Sequence, residues 1–294
     1  MFRGSWVALI TPMMTNGEVD YQSLKRLLDF QIENGTQGLV IMGTTGEAAT
    51  VSFAEQLQVM TFVCDYVKGR VPVVAGNGAN ATSEAVEKTK ALSALPIAGF
   101  LTVTPFYNKP TQKGMVAHFQ AVAAATDKPV LLYNVPGRTG VDLFAATVAE
   151  LAKVKNIVGI KEATGSMARL AELQRLCPEG FMLLSGDDAT AGEFMLQGGH
   201  GVISVTTNVA PKAMAQLCMA ATSGNREQAE AADRPLRALH RDLFIESNPI
   251  PTKWALQRMG LITSDFMRLP LTQLEPIHVN VIEQALAAAD IPLQ

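Results

Sequence analysis

The chain is poor in the features that mark secreted, membrane and nucleic-acid-binding proteins. Cysteine occurs only 3 times in 294 residues and never as a CxxC pair, so small buried side chains in a reducing compartment are the expected use. A net charge of −3 and an aromatic content of 6% provide neither a basic stripe nor a stacking surface for nucleic acid. No run of about 18 apolar residues is present to span a bilayer. We therefore expect a cytoplasmic protein that binds neither nucleic acid nor a membrane.

Metal-binding and targeting motifs are also scarce. The 4 histidines are isolated, without an HxH or HExxH pair, whereas a catalytic zinc site usually needs three protein ligands. The first residues form a short apolar run that Pro12 interrupts, without the small-residue cleavage site of a secretory signal. The sequence therefore predicts no metal ion, no cofactor and no secretory signal.

What the chain does contain is a repeated unit of a short apolar strand followed by an amphipathic helix. The hydrophobic fraction of 48% and the charged fraction of 17% suit an enzyme with a large core. Eight strands joined by helices predict an α/β fold, a (β/α)₈ TIM barrel, and the even spacing favours it over an open doubly wound sheet. The predicted strands are Trp6–Ile10, Gly38–Met42, Val71–Ala75, Gly99–Thr104, Val130–Asn134, Ile157–Lys161, Phe181–Ser185 and Gly201–Val205.

Two of the intervening helices have clear sequence signals. An amphipathic helix is predicted over Tyr21–Glu33 because its apolar residues recur at helical spacing. Its apolar face consists of Leu24, Leu27, Leu28 and Ile32. A second helix is predicted over Glu84–Leu95, with Thr82 or Ser83 as its N-terminal capping residue.

The last part of the chain differs from the rest. After Val205 no further strand pattern appears, and the helical region that follows is longer than the last barrel helices require. We predict a barrel over residues 1–224 and a C-terminal helical appendage over residues 225–294. No glycine- and serine-rich linker separates them, so the appendage is expected to pack against the barrel.

Lys161 carries the strongest chemical signal. It ends an apolar, β-branched run that predicts a buried strand, and lysine is almost never fully buried without a partner. Burial disfavours the ammonium form, and a free amine is what Schiff-base catalysis on a carbonyl substrate requires. From this segment alone, the alternative is a strand-end lysine whose flexible stem reaches water.

Polar residues after other strands favour the catalytic interpretation, because TIM-barrel active sites form at the C-terminal ends of the strands. Thr44 and Thr45 lie in a glycine-flanked turn that suits a small carboxylate or, alternatively, an ordinary helix cap. Tyr133 either passes a proton to a carbonyl oxygen or belongs to the barrel rim. Arg138 is either a bidentate clamp for a second carboxylate or a solvated cation. Tyr107 lies in a loop that points inward or to solvent.

One glycine-rich segment imitates a nucleotide-binding motif. Gly76–Ala81 follows a strand and opens a helix, as the dinucleotide fingerprint G-x-G-x-x-G/A does. The fingerprint also needs an acidic residue at the end of the next strand, where this chain has Val103-Thr104-Pro105. Nucleotide binding is therefore not favoured.

Several motifs together resemble one known family. They are GTTGE (43–47), YNVPGRTG (133–140), GIKEATG (159–165) and LSGDDA (184–189), with further matches at 2–5, 247–251 and 268–270. These segments are similar to the dihydrodipicolinate synthase family, within the pyruvate-dependent class I aldolases. Arg138 separates the chain from the related N-acetylneuraminate lyases, which lack that arginine. The resemblance implies a barrel with a C-terminal helical domain, a homotetramer built as a dimer of dimers, and a role in lysine and diaminopimelate biosynthesis.

The resemblance also implies catalytic roles. Lys161 would form an imine with pyruvate, and the enamine derived from it would condense with L-aspartate-4-semialdehyde to give 4-hydroxy-tetrahydrodipicolinate and water. Thr44, Tyr107 and Tyr133 would form a proton relay, with Tyr107 contributed by the neighbouring subunit. The alternatives are another pyruvate-dependent aldolase of the N-acetylneuraminate lyase kind, or a non-catalytic barrel that binds an oxo-acid.

Substrate-binding roles follow from the same resemblance. Thr45 and Ile203 would hold pyruvate, and Gly186 belongs with them in the substrate-binding set. Arg138 would hold the carboxylate of the semialdehyde.

A regulatory pocket for lysine is where the chain departs from its family. Ala49, Asn80 and Glu84 match the pocket of lysine-sensitive bacterial members. The positions expected to carry a serine, two histidines and a tyrosine instead hold Ala48, Phe53, Gln56 and Phe106. A missing hydrogen bond to a charged group costs about 1.5–3 kcal/mol, so we expect weak or absent inhibition by lysine. The alternative is that Gln56 and water replace the missing partners.

Overall fold

The strands of the protein close into a barrel. The computed structural model describes residues 2–293; Met1 and Gln294, the outer ends of the two predicted domains, lie outside the described residues. All eight strands of residues 2–293 pair in parallel and in chain order, and β8 pairs with β1. The predicted (β/α)₈ TIM barrel is confirmed, with strand ends within two residues of those expected. The strands are β1 (Gly4–Ala8), β2 (Gly38–Ile41), β3 (Val73–Gly76), β4 (Gly99–Val103), β5 (Val130–Asn134), β6 (Ile157–Glu162), β7 (Met182–Ser185) and β8 (Gly201–Ser204).

Side chains fill the barrel interior, because successive residues of each strand point alternately to the axis and to the surrounding helices. The buried inward-facing set consists of Phe2, Trp6, Ala8, Val40, Val74, Leu101, Leu131, Tyr133, Leu184 and Ile203. A larger cluster of buried apolar residues lies between the strands and the helices. The barrel is therefore a packed core, and the room for a ligand is at its rim.

Thirteen α-helices of residues 2–293 surround and extend the barrel. They are α1 (Tyr21–Glu33), α2 (Phe53–Val67), α3 (Thr82–Ser93), α4 (Gln112–Ala124), α5 (Pro136–Thr139), α6 (Ala145–Leu151), α7 (Met167–Leu176), α8 (Ala191–Leu196), α9 (Pro211–Thr222), α10 (Arg226–Asp233), α11 (Arg237–Asp242), α12 (Ile250–Arg258) and α13 (Val279–Ala288). The predicted domain boundary at residue 224 falls between α9 and α10.

Helix α1 has the predicted bounds, but its buried face includes the polar residues Ser23 and Gln31. Gln31 is fully buried, whereas Ile32 is only partly buried. The Gln31 amide donates a hydrogen bond to the carbonyl of Thr207, which follows β8, at 2.9 Å. A polar residue is thus buried because it satisfies a backbone acceptor.

The predicted capping of α3 is wrong. The helix begins at Thr82, its N-cap is Ala81, and no side chain caps it. The Thr82 hydroxyl instead shares a hydrogen bond of 2.9 Å with Nδ1 of His118 on α4. Because the helix starts earlier than expected, this hydroxyl lies inside its first turn and links two neighbouring helices.

The glycine-rich segment at the end of β3 has a packing role. A Cβ atom at Gly76 would lie 2.1 Å from the carbonyl oxygen of Met42, and one at Gly78 would lie 2.6 Å from Cγ1 of Val103. The side chain between them, Asn77, is buried and bonds to Thr102 on β4 at 2.7 Å. These glycines allow neighbouring strand ends to approach each other. Close packing therefore explains the glycine-rich segment, and no bound nucleotide is needed to explain it.

The three cysteines are free thiols, as the sequence predicts. Cys64 and Cys218 are buried and Cys177 is partly buried, and burial raises the pKa of Cys64 and Cys177 to about 11. Within residues 2–293, no helix is long and apolar enough to cross a membrane.

Candidate active site

Lys161 lies at the C-terminal end of β6 with its side chain in the barrel. It is only 5% exposed, and strand register sets it between Tyr133 on β5 and Leu184 on β7. Its Nζ atom lies 4.4 Å from the centroid of the Tyr133 ring. Among residues 2–293, no carboxylate forms an ion pair with it. The amine therefore faces an aromatic ring and the barrel mouth, where an incoming carbonyl compound can meet it.

Gly186, after β7, makes room for the lysine side chain. A Cβ atom there would lie 2.7 Å from Cε of Lys161 and 2.7 Å from Cβ of Ala163. The Gly186 amide donates a hydrogen bond to the carbonyl of Glu162 at 2.8 Å, which fixes β7 beside β6. Any larger residue would displace Lys161, so the geometry accounts for glycine at this position.

A buried polar network lies behind the tyrosine and the lysine. Asn134 and Glu162 follow them directly on β5 and β6 and are paired in register. The Asn134 amide donates to Glu162 at 3.1 Å and to Asp142 at 2.7 Å, and Arg169 binds Asp142 at 2.7 Å. Burial raises the pKa of Glu162, whereas the Arg169 hydrogen bond lowers the pKa of Asp142. Because Asn134 and Glu162 directly follow Tyr133 and Lys161, the network holds the ends of β5 and β6 in place.

The loop after β2 presents one threonine and buries the next. Thr44 is exposed at the barrel mouth, whereas Thr45 is buried. The Thr45 hydroxyl accepts a hydrogen bond of 2.9 Å from Nδ2 of Asn248. Glu47 has a left-handed backbone with φ of 57° and forms a buried ion pair with Lys253 on α12. The loop after β2 is thus held in place by Asn248 and Lys253, which lie more than two hundred positions later in the chain.

Arg138 and Tyr107 lie on the outer part of the same rim. Arg138 belongs to the short helix α5, is exposed, and donates from Nη2 to the carbonyl of Asn248 at 3.4 Å. Tyr107 is 88% exposed and has a φ of 72°. Its amide donates to the carbonyl of Thr139 at 3.2 Å. The tyrosine side chain therefore points away from the barrel of its own chain.

A cavity of about 530 Å³ opens at this end of the barrel. It is continuous from the mouth of the barrel to the grooves beside α2 and α3. Half of the residues predicted for catalysis, substrate binding and lysine binding line it: Thr44, Ala49, Glu84, Phe106, Tyr133 and Arg138. Within residues 2–293, the other half do not: Thr45, Asn80, Tyr107, Lys161, Gly186 and Ile203. Lys161 lies beside Tyr133, which forms part of the cavity wall.

The cavity branch beside α2 and α3 contains a cation that sequence reasoning missed. Lys88 lines it, and its Nζ atom lies 2.8 Å from Oε1 of Glu84. Gln56 also lines it, but the Gln56 amide nitrogen donates to the carbonyls of Ala48 at 3.0 Å and Val51 at 2.9 Å. The acidic group of this branch is therefore already paired, and the amide donors are used within the chain.

Asn248 and Lys253 were also missed as contributors to the site. Both contact the loop after β2, at Thr45 and Glu47. For Asn248 the only sequence signal was the segment 247–251, which matches the family without a stated role. Lys253 lies beyond that segment, and no local sequence pattern indicates its burial or its partner Glu47.

A metal centre has no support in the side-chain arrangement. Among residues 2–293, no three histidine, cysteine, aspartate or glutamate side chains are grouped so that they could hold a metal ion.

Known proteins resemble this chain over its whole length. A model of the dihydrodipicolinate synthetase family matches residues 1–289. The 4-hydroxy-tetrahydrodipicolinate synthase of Shewanella baltica (strain OS155 / ATCC BAA-1091) is 54% identical over 294 residues, covering 100% of both chains.

Solved structures agree with this match. Chloride-inhibited dihydrodipicolinate synthase from Acinetobacter baumannii, complexed with pyruvate, is 48% identical, with a TM-score of 0.97 over 99% of this chain and 100% of that one. A monomeric dihydrodipicolinate synthase variant is 40% identical, with a TM-score of 0.96 over 99% and 98% of the two chains. Four family segments, at 43–47, 133–140, 159–165 and 184–189, lie at the C-terminal ends of β2, β5, β6 and β7, where the site forms. The chain therefore belongs to the dihydrodipicolinate synthetase family.

Proposed function

We propose that this protein is a 4-hydroxy-tetrahydrodipicolinate synthase, a lyase of the Schiff-base aldolase type that acts in lysine and diaminopimelate biosynthesis. The observation that carries the proposal is the environment of Lys161, which is buried at a strand end, faces Tyr133 and lacks a carboxylate partner among residues 2–293. Family membership and the relative at 54% identity support the same activity.

The chemistry begins at the Nζ atom of Lys161. The amine attacks the keto carbon of pyruvate, and loss of water leaves an imine. Removal of a methyl proton gives an enamine, whose carbon attacks the aldehyde of L-aspartate-4-semialdehyde. The amino group of the second substrate then displaces Lys161 from the imine carbon and closes the ring. One water is lost in total, and the lysine returns to its starting state.

Proton transfer in these steps is assigned to Tyr133, Thr44 and Tyr107. Tyr133 is adjacent to the reacting amine, and Thr44 lines the same cavity as Tyr133. Tyr107 is 88% exposed, so it reaches a relay only when it enters the site of a neighbouring subunit.

Substrate recognition is assigned to four further residues. Thr45 supplies a hydroxyl for the pyruvate carboxylate, and Ile203 and Gly186 shape the floor beside the imine. Arg138 is exposed on the outer rim and binds the carboxylate of the semialdehyde in a bidentate manner. This arginine is the residue that favours the synthase over an N-acetylneuraminate lyase-like aldolase.

The covalent step is tested by borohydride reduction in the presence of pyruvate, followed by mass spectrometry. The wild-type protein should carry one reduced pyruvate adduct on Lys161. Lys161→Ala should lose the adduct and reduce turnover by orders of magnitude, because the covalent route is gone. Lys155→Ala, at an exposed lysine near the other end of β6, is the matched control and should retain both. An undiminished adduct in Lys161→Ala would exclude this mechanism.

The assembly we propose is a homotetramer built as a dimer of dimers, in which Tyr107 crosses between subunits. Support comes from the outward direction of Tyr107 and from Phe106 beside it, an apolar side chain that is also exposed. Sedimentation of the active enzyme tests the proposal. A monomer with full activity would contradict the exchange of Tyr107.

A further inference from the structure

Asn248 is a buried residue that connects two parts of the site. It lies just before α12 and is 4% exposed. Its Nδ2 atom donates to Oγ1 of Thr45 at 2.9 Å, and its main-chain carbonyl accepts from Nη2 of Arg138 at 3.4 Å. Its Oδ1 atom has no hydrogen-bond partner among residues 2–293. The one hydrogen bond of this side chain within the described chain is therefore directed at Thr45.

The direction of that hydrogen bond determines what Thr45 can offer a substrate. A threonine hydroxyl has one hydrogen to donate and two lone pairs that accept. When Asn248 donates into one lone pair, the hydroxyl keeps its own hydrogen for another acceptor. A carboxylate oxygen accepts and never donates when ionised, so it needs that hydrogen. The amide thus fixes Thr45 as a donor toward an anionic ligand.

The backbone contact extends this arrangement to the second substrate. Arg138 donates to the main-chain carbonyl of Asn248, and the Asn248 side chain donates to Thr45. Asn248 therefore contacts both the outer guanidinium and the inner hydroxyl. The ion pair between Lys253 and Glu47 ties the next turn of this segment to the same loop. The C-terminal segment therefore contacts both carboxylate-recognition positions.

We propose that Asn248 is a positioning residue that orients the Thr45 hydroxyl toward the pyruvate carboxylate and sets its separation from Arg138. The proposal rests on the function given above, in which Thr45 binds pyruvate. It makes Asn248 a determinant of pyruvate affinity even though its amide acts through Thr45.

The test is the pyruvate dependence of borohydride trapping at Lys161, followed by KM and kcat for each substrate. Asn248→Asp is nearly isosteric but replaces the donor with an acceptor, so it captures the Thr45 hydrogen. We expect the pyruvate concentration for half-maximal trapping to rise about tenfold or more. Asn248→Ala should also raise the pyruvate concentration for half-maximal trapping, and its kcat should change by a smaller factor than this concentration. An unchanged pyruvate dependence in Asn248→Asp would overturn the proposal.

A double-mutant cycle separates positioning from a general loss of structure. In a Thr45→Val background, Asn248→Asp should add less than about twofold, because the hydroxyl on which it acts is gone. Fully multiplicative effects would refute action through Thr45. Thr252→Val, at a buried hydroxyl without a partner among the described residues, is the control and should match wild type. An equal shift in this control would mean that packing of α12 is responsible, which also refutes the proposal.

The same data distinguish this inference from the function on which it rests. If the wild-type protein forms no pyruvate adduct at Lys161, the proposed function fails. If the wild-type protein is trapped normally and Asn248→Asp is trapped at the same pyruvate concentrations, only the role of Asn248 fails.

Discussion

At the scale of single residues, two buried lysines show how a partner determines the use of an amine. Lys253 is fully buried, forms an ion pair with Glu47 and donates to the carbonyl of Phe266 at 2.9 Å. Burial lowers the pKa of Lys253, and the Glu47 carboxylate opposes that change. Lys161 has no such carboxylate among residues 2–293 and faces the Tyr133 ring. The ion pair therefore holds the Lys253 ammonium in place, whereas the Lys161 amine remains available to react with a carbonyl compound.

At this scale we predict that Arg138 recognises the second substrate rather than pyruvate. Arg138→Ala should weaken use of the semialdehyde by about 1.5–3 kcal/mol, roughly ten- to a hundredfold, because a charged hydrogen-bonded pair is lost. Pyruvate trapping at Lys161 should change much less, since the arginine lies on the outer rim. Arg138→Lys retains the charge without the planar fork and should recover only part of the loss. Separate measurement of trapping and of KM for each substrate decides the matter, and equal losses in both would contradict the assignment.

At the scale of secondary-structure elements, α3 and α4 are joined by a buried histidine. His118 on α4 shares a hydrogen bond with the Thr82 hydroxyl on α3, and its ring contacts Phe119 edge-on. Its Nε2 atom is buried without a partner among residues 2–293. Burial lowers the pKa of His118 to about 4 from its ordinary value of 6.5. The folded protein therefore holds this imidazole neutral.

That histidine predicts a loss of stability in acid. Below about pH 6.5 the unfolded chain binds a proton at His118, whereas the folded protein does not until about pH 4. The free energy of unfolding should therefore fall between these values, by about 3 kcal/mol from this group. His118→Asn keeps a hydrogen-bond partner for Thr82 but does not titrate. The free energy of unfolding of this variant should therefore fall less over the same pH range than that of the wild-type protein. Urea unfolding at both ends of the range measures the difference, and identical losses in the two proteins would disprove the prediction.

The elements also show what the sequence could and could not reveal. The eight strands were predictable because apolar, β-branched runs recur between helices, and β5 has the predicted bounds. Gln31 was not predicted to be buried, because apolar periodicity does not register a side chain that satisfies a backbone carbonyl. The contact between Thr45 and Asn248 was equally inaccessible, since the two residues are separated by 203 positions and no local pattern links them.

At the scale of the whole molecule, the C-terminal segment completes the barrel mouth. Arg268 donates to the carbonyls of Gly17 and Thr50 and to the carboxylate of Glu55. That pairing lowers the pKa of Glu55 to about 2. Together with the pair between Lys253 and Glu47, these contacts tie the C-terminal segment to the loops after β1 and β2. The family segments at 247–251 and 268–270 thus both contact these loops, through Asn248 and Arg268.

The cavity also bears on regulation by lysine. An effector with two ammonium groups and a carboxylate needs a partner for each group, but Glu84 is already paired with Lys88 at 2.8 Å. Gln56 uses its amide donors on the carbonyls of Ala48 and Val51, which argues against its replacing the missing residues. The remaining wall at Phe106 is apolar. Two lost hydrogen bonds to charged groups would raise the dissociation constant of lysine well over tenfold.

We therefore predict weak or absent inhibition by lysine. An inhibition titration at saturating pyruvate measures it, and strong inhibition below about 1 mM lysine would contradict the prediction. Gln56→His combined with Phe106→Tyr provides a gain-of-function comparison, because it restores polar groups at two positions of the cavity wall. Lys88→Leu, which frees Glu84 for an incoming ammonium, should increase sensitivity further. If none of these changes alters the response, the branch beside α2 and α3 is not where lysine would act.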